Sequence, residues 1–214
     1  MIDLKTEKER HYRAVEELTR EAFWNQNVPG CSEHYLAHIL RGRRSFISRL
    51  DYVALEKDQV IANIMYTKAK ILNDDGTKVP VISFGPLCVS PAWRGLGIAT
   101  TLINYTKERA IEMGYKAIVI FGSPEFYKRV GFVPAEQYKI GTAWNTYADA
   151  LLALELVPGA LSRCHGRFIE DEVFDVDPKE VAKFDKTFPK KEKISGLPSQ
   201  LKFAEQLKKS KPRK

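Results

Sequence analysis

The chain has 214 residues, of which 44% are hydrophobic and 29% are charged, and its formal net charge is +7. It contains no low-complexity block and no apolar run near the ~20 residues of a membrane span, and its first residues lack the apolar core of a signal peptide. The positive charge favours acidic partners, such as phosphorylated ligands, anionic surfaces or nucleic acid.

The three cysteines, Cys31, Cys88 and Cys164, are odd in number and far apart in the chain. They form neither a C-x-x-C motif nor a disulfide framework, so we expect reduced thiols and a cytoplasmic protein. The basic run KKSKPRK at the end is predicted to be a solvated, frayed tail.

The first half of the chain predicts two helices followed by an antiparallel meander. IDLKT is a possible short strand, and helical spacing of apolar residues follows in EKERHYRAVEELTREAFW. Ser32 could cap a second helix, EHYLAHILRGR. Two strands then meet at a turn near 57–59, and the hairpin signal NDDGTK leads into the strand VPVISFGPLCV.

The pattern changes after SPAWRGLG. An amphipathic helix, IATTLINYTKERAIEMG, ends at Gly114, and the continuous apolar run KAIVIF predicts a strand buried on both faces. Strand, helix and strand with short joints predict a parallel pair with a right-handed crossover. A short helix capped by Ser123 follows, then the strand DALLALEL and a mostly helical tail region with the helices DPKEVAKFDKTF and PSQLKFAEQLKK.

Two glycines stand where the helix after SPAWRGLG begins. The first turn of a helix has about four backbone N–H groups without an intrahelical partner, and the helix dipole adds positive charge there. Gly95 and Gly97 would let a ligand approach these groups, and Arg94 adds a fixed charge. The loop is neither a P-loop, since no Lys-Ser or Lys-Thr follows the glycines, nor a G-x-G-x-x-G fingerprint, since Thr100 occupies the third glycine position.

The pattern R-x-x-G-x-A, formed by Arg94, Gly97 and Ala99 between a strand and an amphipathic helix, resembles the pyrophosphate loop of the GNAT superfamily of acetyl-CoA-dependent N-acetyltransferases. The later segment EFYKRVGF resembles the second signature of that family. The resemblance covers roughly residues 52–133. It implies an α/β (α+β) fold whose mixed central sheet combines an antiparallel N-terminal meander with a splayed parallel strand pair, flanked by helices.

The resemblance also implies how acetyl-CoA is held. Its pantetheine arm would pair with the backbone of the first splayed strand, below a bulge at Gly85-Pro86, and its diphosphate would rest on the amides of the glycine loop. No metal is expected. The predicted cofactor-binding residues are Leu87, Cys88, Val89, Arg94, Gly95, Leu96, Gly97, Ile98, Ala99 and Thr100.

Tyr127 is the predicted catalytic acid, because the resemblance maps it onto the tyrosine that protonates the departing CoA thiolate. The alternative is a core tyrosine with its hydroxyl at the rim. Some family members carry a glutamate as general base on the first splayed strand, but Ser83 occupies that position here. A water chain or another carboxylate would have to serve, and Glu21 is one candidate, although an exposed helix carboxylate is the simpler interpretation.

Three other sequence patterns give weaker evidence of a functional site. His34 and His38 lie four residues apart, but HYLAH lacks the glutamate of H-E-x-x-H and a third ligand. Cys88 would lie near the thioester, but no histidine is visibly placed to activate it, so it is interpreted as a small buried residue. The basic tail has few aromatic residues for base stacking, so nucleic-acid binding is not expected.

We interpret residues 1–157 as an acetyltransferase domain and residues 158–214 as a partly helical extension with a basic tail. The predicted reaction transfers acetyl from acetyl-CoA to a primary amine by direct attack in a ternary complex. The alternative is a non-catalytic acyl-CoA-binding sensor or interaction module, which the missing carboxylate at Ser83 favours. The sequence leaves open the acceptor, and whether the protein is a monomer or a homodimer.

Overall fold

A computed structural model describes residues 2–213 as a mixed α/β fold around one large sheet. The helices are α1 (Tyr12–Phe23), α2 (Glu33–Leu40), α3 (Ile98–Glu112), α4 (Pro124–Tyr127), α5 (Pro178–Asp185) and α6 (Pro198–Lys208). The strands are β1 (Ile2–Thr6), β2 (Tyr52–Glu56), β3 (Gln59–Asn73), β4 (Lys78–Val89), β5 (Ala117–Phe121), β6 (Val133–Pro134), β7 (Ile140–Gly141), β8 (Thr146–Ala148), β9 (Leu151–Glu155), β10 (Gly166–Ile169) and β11 (Ser210–Pro212).

The main sheet has the strand order β1-β2-β3-β4-β5-β9-β6. The strands β1 to β4 are antiparallel neighbours, which confirms the predicted meander, and Lys57 and Asp58 adopt positive φ angles in the turn between β2 and β3. Strand β5 is parallel to β4 across the α3 crossover and antiparallel to β9, the predicted strand DALLALEL.

Helices cover both faces of the sheet. On the face that we call the α3 face, Leu102 and Ile103 of α3 pack in one cluster with Ile82 and Phe84 of β4. On the opposite face, the α1–α2 face, α1 packs against β2 and Cys88, and α2 packs against Met65 of β3. The alternation of side chains along each strand therefore decides which face a residue serves.

Residues beyond 157 are more involved in the sheet than the sequence predicts. Both expected helices are present as α5 and α6, but the structure adds β10, which pairs antiparallel with the far end of β3. Glycine is required in β10, because a Cβ on Gly166 would collide with the backbone at Leu72 and Asn73. No helix among residues 2–213 is long and apolar enough to cross a membrane.

The expectation of a frayed basic tail is wrong for the described residues. Strand β11 pairs antiparallel with β8, and Arg213 is buried. The Arg213 guanidinium donates to the Asn145 side chain over 2.8 Å and forms an ion pair with Asp74. Charge neutralisation by Asp74 and these hydrogen bonds offset the entropy of ordering this end of the chain.

The predicted helix caps are placed correctly but act differently. Ser32 and Ser123 occupy the N-cap positions of α2 and α4, yet neither side chain caps the helix. At α2, the Glu33 carboxylate accepts the Ser32 backbone N–H over 2.9 Å instead. That carboxylate also lies where negative charge is favoured by the helix dipole.

Candidate active site

The parallel strands β4 and β5 separate almost at once. Among residues 2–213 they are registered only at Ile82 and Ile118, after which β4 continues to Val89 beside β3 alone. The β3–β4 register shifts between Ile64 and Tyr66, opposite Gly85-Pro86, which confirms the expected bulge. The result is a gap, the β4–β5 gap, bordered by unpaired strand edge.

Residues Leu87 to Val89 form the β4 side of this gap. They pair with Ile64, Asn63 and Ala62 of β3, so one edge of their backbone is occupied and the other faces the gap. A strand edge with free N–H and C=O groups can pair with an extended ligand. Leu87, Cys88 and Val89 thus have one backbone edge towards the gap, and their pairing with a ligand stays a prediction.

The glycine turn that follows β4 leaves its amides accessible. Gly95 and Gly97 have φ angles of +79° and +77°, and a Cβ on either would meet no atom within 4 Å. Gly97 is the N-cap of α3, whose first hydrogen bond runs from Thr101 N to Gly97 O over 2.9 Å. The amides up to Thr100 therefore precede the helical ladder and can receive an anion.

The remaining residues of this turn have different environments. Leu96 is exposed between the two glycines, whereas Ile98, the first residue of α3, is buried in the core of the α3 face. Arg94 does not point freely into solvent, because its Nη2 donates to the carbonyl of Ala22 over 2.8 Å. The guanidinium thus closes the C-terminal end of α1 and keeps its other N–H groups for a ligand.

Tyr127 lies on the α3 face of the gap, at the end of α4. Its ring centroid is 5.8 Å from Phe84, 4.9 Å from Phe126 and 5.5 Å from Phe132. Burial raises its pKa well above the usual range, so the phenol stays protonated. Its hydroxyl has no hydrogen-bond partner among residues 2–213, which leaves its proton available to a ligand.

Gly122 fixes the position of that ring. A Cβ on Gly122 would overlap Cδ2 and Cε2 of Tyr127, so only glycine allows the tyrosine to lie against the backbone after β5. Gly122 was not among the predicted site residues. A glycine directly after a predicted buried strand is the available signal, since such a position often allows a close approach.

The residues considered for a general base do not supply a free carboxylate. Ser83 is buried opposite Thr67 of β3, and the alternation of β4 puts it on the face opposite Phe84. Glu21 is ion-paired with Lys191. Glu170, which was not among the predicted candidates, is a half-buried carboxylate beyond β10 whose pKa is raised to about 7 by burial.

The other singled-out residues have structural partners. His34 Nδ1 lies 3.3 Å from Cys31 Sγ and its Nε2 lies 3.3 Å from Asp185, whereas His38 Nδ1 lies 2.9 Å from Glu16. The two histidines therefore do not share a partner, and residues 2–213 contain no cluster of three or more metal-ligating side chains suited to an ion.

Cys88 has the environment of a core residue. Its thiol is buried 3.4 Å from the Thr19 hydroxyl, and burial raises its pKa to about 11. A protonated, enclosed thiol is a poor nucleophile.

Comparison with known proteins agrees with this geometry. The family model described as an acetyltransferase (GNAT) domain matches residues 49–134. The curated relative "Uncharacterized N-acetyltransferase YhbS" of Escherichia coli strain K12 is 28% identical over 147 residues, which are 68% of this chain and 85% of the relative.

Solved structures are similar as well. The crystal structure of GNAT family N-acetyltransferase (YhbS) from Escherichia coli in complex with CoA has a TM-score of 0.73 and 25% identity, covering 82% of this chain and 92% of that one. A GNAT family acetyltransferase from Brucella melitensis in complex with acetyl-CoA has a TM-score of 0.62 and 22% identity, covering 82% and 99%. These similarities confirm the predicted fold.

Proposed function

We propose that the chain, whose residues 49–134 match the model of an acetyltransferase (GNAT) domain, transfers acetyl from acetyl-CoA to a primary amine by direct attack in a ternary complex. The observation that carries the proposal is the β4–β5 gap, which opens after the Ile82–Ile118 pair and ends at the accessible turn of Gly95 and Gly97. An unpaired strand edge leading to free helix amides suits a ligand with an extended arm and a diphosphate.

The residues present fit acetyl-CoA. Leu87, Cys88 and Val89 would pair with the pantetheine arm, and the amides from Gly95 to Thr100 would hold the diphosphate. The space above both glycines supports this assignment, because no Cβ and no neighbouring atom fills the position of the anion. Arg94 would add charge-assisted hydrogen bonds from the N–H groups that it does not use on Ala22.

The catalytic contribution of the protein would be mainly positioning. A backbone N–H near Leu87–Val89 would polarise the thioester carbonyl, and the two reactants would be held together in the gap. Tyr127 would then donate its hydroxyl proton to the departing sulfur. Its ring is fixed by Phe84, Phe126 and Phe132, so the hydroxyl is pre-oriented rather than found by rotation.

A thiol-release assay with acetyl-CoA and a panel of primary amines tests the reaction, and Tyr127→Phe tests the acid. We expect the variant to lower kcat by about a hundredfold, within the range of general acid catalysis, and to keep the acetyl-CoA affinity measured by calorimetry. The phenylalanine preserves the ring packing. An equal loss of affinity and turnover would contradict the acid role.

The second candidate is an acyl-CoA sensor or interaction module without catalysis. Ser83 favours it, because the first splayed strand offers no carboxylate at that position. Tight acetyl-CoA binding without thiol release for any amine would support the sensor, whereas release above the buffer rate would support the transferase.

We also propose a cytoplasmic location, which the three free, buried cysteines support. The division into a domain of residues 1–157 and an extension of residues 158–214 remains a proposal, as do the monomer and homodimer alternatives.

A further inference from the structure

A short acidic segment, Phe168–Phe174, contacts both strands of the β4–β5 gap through the aromatic rings at its two ends. At one end, the Phe168 ring lies 6.1 Å from the ring of Phe121, the last residue of β5. At the other end, Phe174 lies over the bulge of β4, since a Cβ built on Gly85 would be 3.7 Å from Phe174 Cε1. This crossing segment therefore reaches from one strand of the gap to the other.

Three consecutive carboxylates lie in the crossing segment, and two of them are neutralised. Asp171 accepts the Val173 N–H over 2.8 Å and an Arg43 N–H over 3.2 Å, and Glu172 accepts an Arg43 N–H over 2.7 Å. Glu170 has no hydrogen bond or ion pair with any residue in 2–213. Burying a carboxylate without a hydrogen-bond or charged partner costs free energy, so we expect a ligand to supply the missing partner.

The strand register and the contacts of Phe168 locate Glu170 on the face of the sheet from which the gap is reached. Ile169 pairs with Lys70, so Glu170 comes level with Ala69, whose partner on β4 is Val81. Phe168 packs with Val81 on the α1–α2 face, and alternation puts Glu170 on the same side. Strand β3 lies between β10 and β4, so Glu170 reaches the gap over this face of the sheet, as the Phe168 ring does at Phe121.

We propose that Glu170 is the proton acceptor for the acceptor's ammonium group, an inference that rests on the acetyl transfer proposed above. Tyr127 contacts Phe84 on the α3 face, whereas Glu170 lies on the α1–α2 face. The two groups thus stand on opposite sides of the gap. An amine entering from the α1–α2 face meets Glu170 while the sulfur of the donor leaves towards Tyr127.

The step balances in protons and electron pairs. Glu170 takes one proton from R–NH3⁺, and the nitrogen lone pair forms the C–N bond to the acetyl carbon as the C–S bond breaks. The second nitrogen proton leaves to water, the sulfur takes the Tyr127 proton, and Tyr127 is reprotonated from water. Glu170 then releases its proton, so each turnover yields one amide, one CoA thiol and one H⁺.

The surroundings of Glu170 suit this role at neutral pH. The charged residues nearest to it along the segment are Asp171 and Glu172, which both bind Arg43, and Lys70 of β3 pairs with the preceding Ile169. The facing positions of β4 and β5, which are Val81, Ser83, Gly85, Val119 and Phe121, carry no ionisable group. Burial raises the pKa of Glu170 to about 7, so its basic form increases as the pH rises through 7.

The test is the pH profile of kcat/KM for wild type, Glu170→Gln and the matched control Glu172→Gln. Two amines serve as probes. The first is the alkylamine among spermidine, phenethylamine and alanyl-glycinamide that reacts fastest with the wild type. The second is methoxyamine, which is already unprotonated at neutral pH. We expect Glu170→Gln to lower kcat/KM for the alkylamine about a hundredfold and to remove the ascending limb near pH 7. Methoxyamine turnover and acetyl-CoA affinity should stay at the wild-type level, and Glu172→Gln should behave as wild type.

Two results would overturn the inference and leave the proposed function standing. One is thiol release by Glu170→Gln with an unchanged pH profile of kcat/KM. The other is an equal loss of kcat/KM for the alkylamine and for methoxyamine, which indicates a structural role. Absence of thiol release from the wild-type protein with every amine would instead overturn the proposed function and this inference with it. Because glutamine is isosteric, the calorimetric acetyl-CoA affinity of the variant also reports whether it has folded.

Discussion

The two faces of the sheet at the β4–β5 gap are built in different ways. On the α3 face, residues 78–132 supply the strands, the glycine turn, α3 and Tyr127 in one continuous stretch. On the α1–α2 face, the wall combines α1 and α2 with residues beyond 157. Arg20 and Asp185, for example, are joined over 2.7 Å. The donor site that we propose is thus encoded locally, and the acceptor site depends on contacts between distant parts of the chain.

This difference determines which parts of the site a single substitution can change. The groups that we propose to hold the donor belong to the backbone, namely the glycine turn with its positive φ angles at Gly95 and Gly97 and the strand edge at Leu87–Val89. Side chains hold the α1–α2 face, including the Arg20 guanidinium over the Trp24 ring at 4.2 Å. Side-chain contacts change with single substitutions, so this face is the one expected to set acceptor specificity.

The largest expected effect would come from Gly97→Leu on the α3 face. A leucine at φ +77° costs about 1–2 kcal/mol and places its side chain in the anion position, so CoA binding should be lost in calorimetry. Gly114→Leu is the matched control, because Gly114 has φ +84° and open space at the other end of the same helix. Both variants should lower the free energy of unfolding by similar amounts. Unchanged CoA affinity in Gly97→Leu would show that the glycine turn has a structural role only.

The next effect concerns the α1–α2 face. Asp185→Asn should lower the free energy of unfolding by about 3 kcal/mol, because it leaves the buried Arg20 charge without its partner. Glu180→Gln on the same helix removes only an exposed ion pair with Lys183, so it should change the free energy of unfolding by less than about 0.5 kcal/mol. Urea denaturation measures both.

The same two variants separate the faces functionally. Asp185→Asn should raise the KM for the amine while leaving CoA affinity intact, because Phe184 and Asp185 of α5 contact α2 and α1 on the α1–α2 face. A parallel loss of CoA affinity would show that the two faces are not independent.

The smallest effect is expected from Gly122→Ala. The added Cβ displaces the Tyr127 ring without removing its hydroxyl, so kcat should fall about tenfold, less than in Tyr127→Phe. In the double variant, Gly122→Ala should add no further loss to Tyr127→Phe, because both act through one hydroxyl. An additive loss in stopped or continuous thiol-release kinetics would assign Gly122 a role apart from Tyr127.

The sequence predicted the α3 face well, for a physical reason. The apolar run KAIVIF, the helix that ends at Gly114 and the turn of Gly95 and Gly97 are local signals, and each forms where expected. The α1–α2 face was not predictable in the same way. Strand β10 has only four residues, and its pairing with β3 depends on a contact from Phe168 to Ile71 that no local pattern reports.

Glu170 and Arg213 show the same limit. Both are polar residues in charged stretches, where the ordinary expectation is exposure to solvent. Arg213 is buried by its pairing with Asp74, and Glu170 is half-buried because the crossing segment lies against the sheet. Their functional meaning arises from tertiary placement, which a composition or periodicity argument does not contain.

The hydrogen bond from Arg94 to the Ala22 carbonyl has a consequence for how the two faces communicate. One guanidinium N–H anchors the end of α1, and the planar group retains further donors that point elsewhere. A diphosphate bound as we propose would therefore contact Arg94 without detaching α1, whereas a lysine at this position would have a single ammonium to share between the carbonyl and the anion. If the donor binds as proposed, its contact with Arg94 would stabilise the C-terminal end of α1, the first helix of the α1–α2 face, instead of releasing it.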